Sequence, residues 1–239
     1  FLPDYFCNLT LQVFQNTDVH LIFYPICENL NPNWGAIEKL TKESGSADIF
    51  ILVHYFGFPC GAQKAYEYCQ RVGTFLLEDC AHVLFPTEDM GQKGDAAIFS
   101  PHKVLGVPDG GLLVFNKKKN NNYKKYHNPE SAFFFYPSED GLTFQYMMRW
   151  VIKKIAQHIC MILKIGWKKK ASLSHDMDEQ SVIGNNRKIS FYGRALLFIN
   201  QKNIKLFINR RRENFLILSK MVLKTGKFIK PLFIEFPSN

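Results

Sequence analysis

The chain is 239 residues long, 46% hydrophobic and 21% charged, so it is long enough to bury a sizeable core and too apolar to stay disordered. Its formal net charge of +9 gathers at Lys117, Lys118, Lys119, Lys124 and Lys125 and again at Arg210, Arg211 and Arg212; with no zinc-binding or aromatic-interleaved motif beside them, these clusters read as solvated surface and not as a nucleic-acid contact. The six cysteines form no CxxC pair and no secretory signal opens the chain, which points to reduced thiols in a cytoplasmic protein and to no metal site.

In chain order, the apolar runs at 20–24 (HLIFY), 49–53 (IFILV) and 74–77 (TFLL) read as buried strands. The segments between them, Trp34 to Leu40 and Ala62 to Arg71, carry helical spacing. This βαβα order predicts a parallel sheet with right-handed helical crossovers, whose ligands gather at the carboxyl ends of the strands. Two further apolar runs follow, Ala96 to Phe99, ending in Ser100, and Leu112 to Phe115, preceded by Gly110-Gly111.

Beyond Asn116 the character changes. The low-complexity stretch at 117–125 reads as an exposed loop, and Phe133 to Tyr136 stand in a Pro- and Ser-flanked stretch. An amphipathic helix follows, with its apolar stripe at Met147, Met148, Val151, Ile152, Ile155 and Ile159, expected to pack on the first domain. The surrounding stretch, Phe144 to Trp167, contains Arg149, Lys153, Lys154 and Lys164. At about 2.5–3.5 kcal/mol per buried charge it is not a membrane span. A polar linker near 169–190 leads to one long helix from about Tyr192 to Leu223, and Pro231 to Phe236 looks like the start of a strand.

Residues 74–111 carry the chemistry. They bring an acid (Asp79), a histidine (His82), a serine (Ser100) and a lysine (Lys103) to adjacent strand ends. That set suits a cofactor that is both an aldehyde and a phosphate ester. A lysine amine forms a Schiff base with an aldehyde, a carboxylate keeps a pyridine nitrogen protonated, and a hydroxyl at a strand-to-helix turn binds phosphate. Taken singly, Asp79 could cap a helix, Gly110-Gly111 could form a tight turn, and His54 and His102 read as structural.

Glu78-Asp79-Cys80-Ala81-His82, Gly94-Asp95-Ala96, Phe99-Ser100, Lys103 and Asp109-Gly110-Gly111 occur in this order, and the block resembles the core of the DegT/StrS family of pyridoxal-phosphate (PLP) nucleotide-sugar aminotransferases. Leu2-Pro3-Asp4-Tyr5, Val53-His54-Tyr55-Phe56-Gly57 and Arg211-Arg212-Glu213-Asn214 resemble other family segments more weakly. The resemblance is strong over 48–116 and loose beyond 130. It implies an α/β fold: a three-layer PLP-transferase large domain of the aspartate aminotransferase kind, with a mainly parallel central sheet, over 1–125. A helical connection and part of a small domain would occupy 126–239. The matched span implies a fragment that lacks the family's start and end.

The same resemblance implies the roles. Lys103 would carry pyridoxal 5'-phosphate and move a proton between substrate and cofactor, and Asp79 would pair with the pyridine nitrogen. Ala81 would pack on a ring face, His82 would lie by the ring's phenolic side, and Ser100 would bind phosphate. The implied reaction moves an amino group from an amino acid, glutamate in most of the family, to a nucleotide-linked keto sugar in a homodimer, with neither nucleic acid nor stable membrane insertion. Two departures stand out: the segment from Ser100 to Lys103 is shorter than the family's, and Cys7 aligns where relatives place an aromatic residue, leaving Tyr5 or Phe6 to stack on the ring. The rival readings are a PLP-dependent sugar dehydratase, which a histidine in place of the lysine would favour, and an inactive homologue acting as a binding module.

Overall fold

The structure is a computed structural model that describes residues 1–14, 17–116, 144–163 and 189–225. Strand β1 (Leu2–Pro3) pairs in parallel with β2 (Phe23–Tyr24), and β3 (Ile49–Val53), β4 (Phe75–Cys80) and β5 (Ala96–Phe99) form a parallel sheet that β6 (Leu112–Phe115) joins antiparallel, in the order β3-β4-β5-β6. Backbone bonds tie the two sheets together: Ile51 donates its N–H to the carbonyl of Phe1 at 2.9 Å. The 20–24 run is a strand only over Phe23–Tyr24, because the partner offered by β1 is itself two residues long.

Helices α2 (Trp34–Ser44) and α3 (Ala62–Val72) form where the helical spacing predicts them. Asn33 starts α2 by accepting the Ala36 N–H at 3.2 Å, which satisfies one of the orphan donors of a first turn. Both helices press apolar side chains onto β3. Phe50 is fully buried there, with the rings of Tyr24, Trp34 and Tyr68 at 4.8, 6.0 and 5.6 Å between centroids. Dispersion and apolar burial at this one aromatic knot contribute several kcal/mol.

Two connections lack a helical crossover. The path from β4 to β5 is parallel, yet no helix makes the crossover; residues 81–95 form an irregular loop. The turn after β5 holds only the short helix α4 (Pro101–Val104), so β6 returns antiparallel to β5. In the amino-terminal part, the short helix α1 (Asn8–Leu11) follows β1.

Of the carboxyl-terminal elements, α5 (Phe144–Ile162) is the expected amphipathic helix. Its stripe is not packed away among the described residues: Met148, Ile152, Ile155 and Ile159 are exposed. The single helix predicted from Tyr192 to Leu223 is two, α6 (Phe191–Gln201) and α7 (Ile204–Thr225), broken at Lys202 and Asn203. Asn203 N–H turns back to the Asn200 carbonyl at 2.9 Å, a tight closure that ends the α-helical ladder. The 117–125 loop, the Phe133–Tyr136 stretch, most of the 169–190 linker and the Pro231–Phe236 run lie outside the described residues.

Candidate functional site

The parallel register sets Val53 beside Asp79 and Asp79 beside Ile98 at the carboxyl ends of β3, β4 and β5. Side chains alternate across a strand, so these three share one face of the sheet while Leu52, Glu78 and Ala97 share the other. The first face forms the floor of a cleft of about 290 Å³. Asp79, Ala81, His82, Ser100 and Lys103, the residues singled out in the sequence, all line it. So do Tyr5, Phe6 and Cys7, the three candidates for the ring-stacking wall. Tyr5 already stacks on Tyr55 at 5.4 Å, and the Tyr55 hydroxyl donates to the Tyr5 carbonyl at 2.6 Å.

Each polar group is held differently. Asp79 Oδ1 accepts the Ala81 N–H at 2.9 Å, and Oδ2 has no hydrogen-bond partner among the described residues. Ser100 stands at the start of α4 without spending its hydroxyl on a helix cap. Lys103 is exposed on α4, and its backbone N–H donates to the Ser100 carbonyl at 3.0 Å. That one tight turn closes the short segment between them, so serine and lysine reach the same cleft despite the missing length.

His82 accepts the Phe56 N–H on Nδ1 at 3.3 Å and lies parallel to the Phe56 ring, with centroids 6.0 Å apart. A ring that accepts at Nδ1 carries its hydrogen on Nε2, a donor open to a ligand. Burial pushes the imidazole below its ordinary pKa, the positive charges of Lys103 and Arg211 add to the fall, and Asp79 opposes it. Neutral imidazole is therefore the form present at neutral pH.

The wall that carries Phe56 is strained. Phe56 adopts φ 57 and ψ 14, a left-handed conformation that costs an ordinary side chain about 1–2 kcal/mol. The adjoining Gly57, at φ +82, brings its backbone so near β4 that a Cβ would stand 2.9 Å from the His82 carbonyl. A side chain there would push His82 out of place.

His102, the alternative to Lys103, does not line the cleft. Its Nδ1 donates to the Gly110 carbonyl at 3.2 Å, across the loop that carries Lys103. Asp109 in that loop accepts the Ser190 N–H at 2.8 Å and the Ser190 hydroxyl at 3.0 Å, while Ser190 caps α6 by accepting the Gly193 N–H. The Asp109-Gly110-Gly111 motif thus fastens the lysine loop to the start of α6. Asp95 of the Gly94-Asp95-Ala96 motif is structural in the same way, accepting the Leu76 N–H at 2.8 Å between β4 and β5.

Sequence reasoning missed a second cleft of about 260 Å³ that shares Phe56 and His82 with the first. Arg211 and Arg212 of α7 line it with apolar residues that include Phe58, Phe85 and Phe215. The arginine run gave a signal, but nothing local showed that α7 would bring it to His82. A buried group of His54, Glu78 and Cys80 has donor atoms within 4.8 Å of one another. Glu78 is fully engaged there by hydrogen bonds.

The donor set of the first cleft fits pyridoxal 5'-phosphate. Among the described residues it offers a carboxylate oxygen with no hydrogen-bond partner for a protonated ring nitrogen, an amine for an aldehyde, a hydroxyl not used as a helix cap for a phosphate and a neutral imidazole N–H for a ring oxygen. Ala81 lines the same cleft. No helix among the described residues is long and apolar enough to cross a membrane, and no disulfide joins any of the six cysteines.

A family model described as the DegT/DnrJ/EryC1/StrS aminotransferase family matches residues 10–131. The chain is 29% identical over 113 residues to the spore coat polysaccharide biosynthesis protein SpsC of Bacillus subtilis (strain 168), a match that covers 44% of this chain and 29% of that protein. The crystal structure of a DegT DnrJ EryC1 StrS aminotransferase from Brucella abortus shares the fold, with TM-score 0.54 and 18% identity over 94% of this chain and 52% of its own. Helicobacter pylori PseC, an aminotransferase involved in the biosynthesis of pseudoaminic acid, is 25% identical over 41% of this chain and 27% of its own, with TM-score 0.35. The chain therefore spans about half, or less, of the length of these relatives.

Proposed function

Because the chain belongs to the DegT/DnrJ/EryC1/StrS aminotransferase family, we propose that it is the core of a pyridoxal-phosphate aminotransferase that moves an amino group from an amino acid, glutamate by resemblance, to a nucleotide-linked keto sugar. The observation that carries the reading is the convergence of Asp79, His82, Ser100 and Lys103 on one cleft. Similarity to a polysaccharide biosynthesis protein supports a sugar acceptor. The proposed setting is a homodimer in the cytoplasm, with residues 1–125 as the cofactor-binding domain and 126–239 as the connection and part of a small domain.

When bound, the cofactor supplies a protonated ring that draws off the electron pair left on carbon when a proton departs. The chain's own residues do the rest. Asp79 would hold the proton on the ring nitrogen through Oδ2, which has no partner among the described residues, as an ion pair in a part-buried cleft. Lys103 would hold the cofactor through its amine, and the same amine would move a proton from one carbon to the next. For that step the amine must be near the reacting carbon and uncharged. His82 would offer its Nε2–H to the ring oxygen, and the Ser100 hydroxyl would bind phosphate.

The dehydratase alternative requires a histidine in place of the lysine. His102 is turned away onto Gly110, which favours the aminotransferase reading. The test is borohydride reduction with PLP, on the longest form of the protein that the reading frame encodes, followed by peptide mapping. The label is expected on Lys103; no label, or a label confined to another lysine, refutes the proposal.

A further inference from the structure

Glu78, the acid beside Asp79, points away from the cofactor cleft and is fully buried on the other side of the sheet. Its carboxylate accepts four hydrogen bonds. His54 Nε2 and the Gly91 N–H reach Oε2 at 2.8 and 2.7 Å, and the Lys93 and Gly94 N–H groups reach Oε1 at 2.8 and 2.5 Å. An ionised carboxylate has about four lone-pair sites, so every one is used.

The reason lies in the missing helix. A helical crossover from β4 to β5 would satisfy its own N–H groups; the irregular loop at 81–95 cannot, and buried donors must find acceptors elsewhere. Glu78 supplies them for three residues of the loop. Burial alone would raise its pKa, but the hydrogen bonds from His54 and from the Gly94 and Gly91 N–H groups hold the carboxyl below the usual range. With no lone pair left on Glu78, and with the Cys80 thiol pushed up by burial, the His54, Glu78 and Cys80 group is a hydrogen-bond knot and not a cation site.

His54 closes the knot from β3. Its Nδ1 accepts the Cys60 N–H at 3.3 Å, which leaves the ring hydrogen on Nε2 to be donated to Glu78. Its backbone N–H donates to the carbonyl of Asp79 at 3.0 Å. One residue therefore grips Glu78 by its ring and Asp79 by its backbone.

We infer that His54 and Glu78 are positioning residues for the cleft: together they fix the strand end from which Asp79 emerges and bind the β4–β5 loop to it, so that Asp79 keeps its place without a crossover helix. The inference rests on the cofactor reading only for the importance of Asp79. Loss of the knot would loosen Asp79 while leaving its charge unchanged.

Two measurements on the full chain without cofactor test this. In the unaltered protein, amide exchange of Gly91, Lys93, Gly94, His54 and Ala81 is followed by NMR. The first three amides report Glu78, the fourth reports Asp79's carbonyl, and the last reports Asp79 Oδ1. All five should exchange through one common opening; Ala81 and His54 exchanging through a separate, faster opening overturns the inference. The second measurement is the titration of His82, whose charged neighbours are Lys103, Asp79 and Arg211. Of these only Asp79 raises its midpoint, so Asp79→Asn lowers it and sets the scale.

His54→Leu removes no charge when the ring is neutral, yet it should reproduce most of that fall, whereas His54→Gln, which retains a donor, should restore most of the original midpoint. A folded His54→Leu protein whose His82 titrates as in the unaltered chain refutes the positioning role. If His54→Leu does not fold, the exchange pattern of the unaltered protein decides alone. Failure to label Lys103 with common exchange and the expected titration intact would sink the cofactor reading and leave this one standing.

Discussion

Replacing Gly94 with alanine tests how tightly the knot behind the cleft is built. The new Cβ would stand 2.9 Å from the carbonyl oxygens of both Leu76 and Ala96 and 3.0 Å from Glu78 Cγ. Neither oxygen can retreat cheaply, since both belong to hydrogen-bonded strands; the Leu76 carbonyl accepts the Asp95 N–H at 2.8 Å. Overpacking of this kind costs about 1–3 kcal/mol. The Gly94 N–H also donates to the Glu78 carboxylate at 2.5 Å, and losing a hydrogen bond to a charged group costs about 1.5–3 kcal/mol.

Together these give about 2.5–6 kcal/mol, a large part of the ~5–15 kcal/mol that holds a domain folded. The assay is urea unfolding followed by far-UV circular dichroism, with the slope compared so that a shift in midpoint can be read as stability. Gly106→Ala is the control: a Cβ there meets nothing within 4 Å and the φ is ordinary, so its effect should stay within about 1 kcal/mol. A Gly94→Ala protein that loses less than about 1 kcal/mol would show that the strands yield, and the account of the knot would be wrong.

Two further outcomes follow from the same chemistry. Glu78 has a lowered pKa in the folded chain, so its contribution is present above the unfolded carboxylate pKa of about 4.3 and is lost as pH falls through the lower folded value; Glu78→Gln should flatten the acid limb of a stability–pH curve, and an unchanged limb argues against the shift. Phe50→Ala removes the ring held between Tyr24, Trp34 and Tyr68 and should cost about 3–5 kcal/mol in the same urea assay.

The front of the site was legible because it is written in short-range order. Apolar runs marked β3 to β6, and the residues just past them (Asp79, Ala81, His82, Ser100, Lys103) fell on one cleft as strand-end geometry requires. The back was not legible, since His54 and Glu78 meet only after β3 and β4 pair. One sign was available: alternation within β4 puts Glu78 in step with Leu76 and Cys80, both fully buried, so an acid in that register needs partners. The antiparallel turn into β6 depended on a tertiary choice with no strong local mark. The break at Lys202 and Asn203 had no proline or glycine to announce it, and the stripe on α5 showed that an amphipathic pattern specifies a face without naming what lies against it.

The bond between Asp109 and Ser190 has a mechanical side. The loop that bears Lys103 is stapled at one edge to its own backbone by His102 and at the other to the first turn of α6 by a carboxylate. A displacement of α6 would therefore pull on the loop that bears Lys103. The cleft is thereby tied to the carboxyl-terminal helices through a single carboxylate.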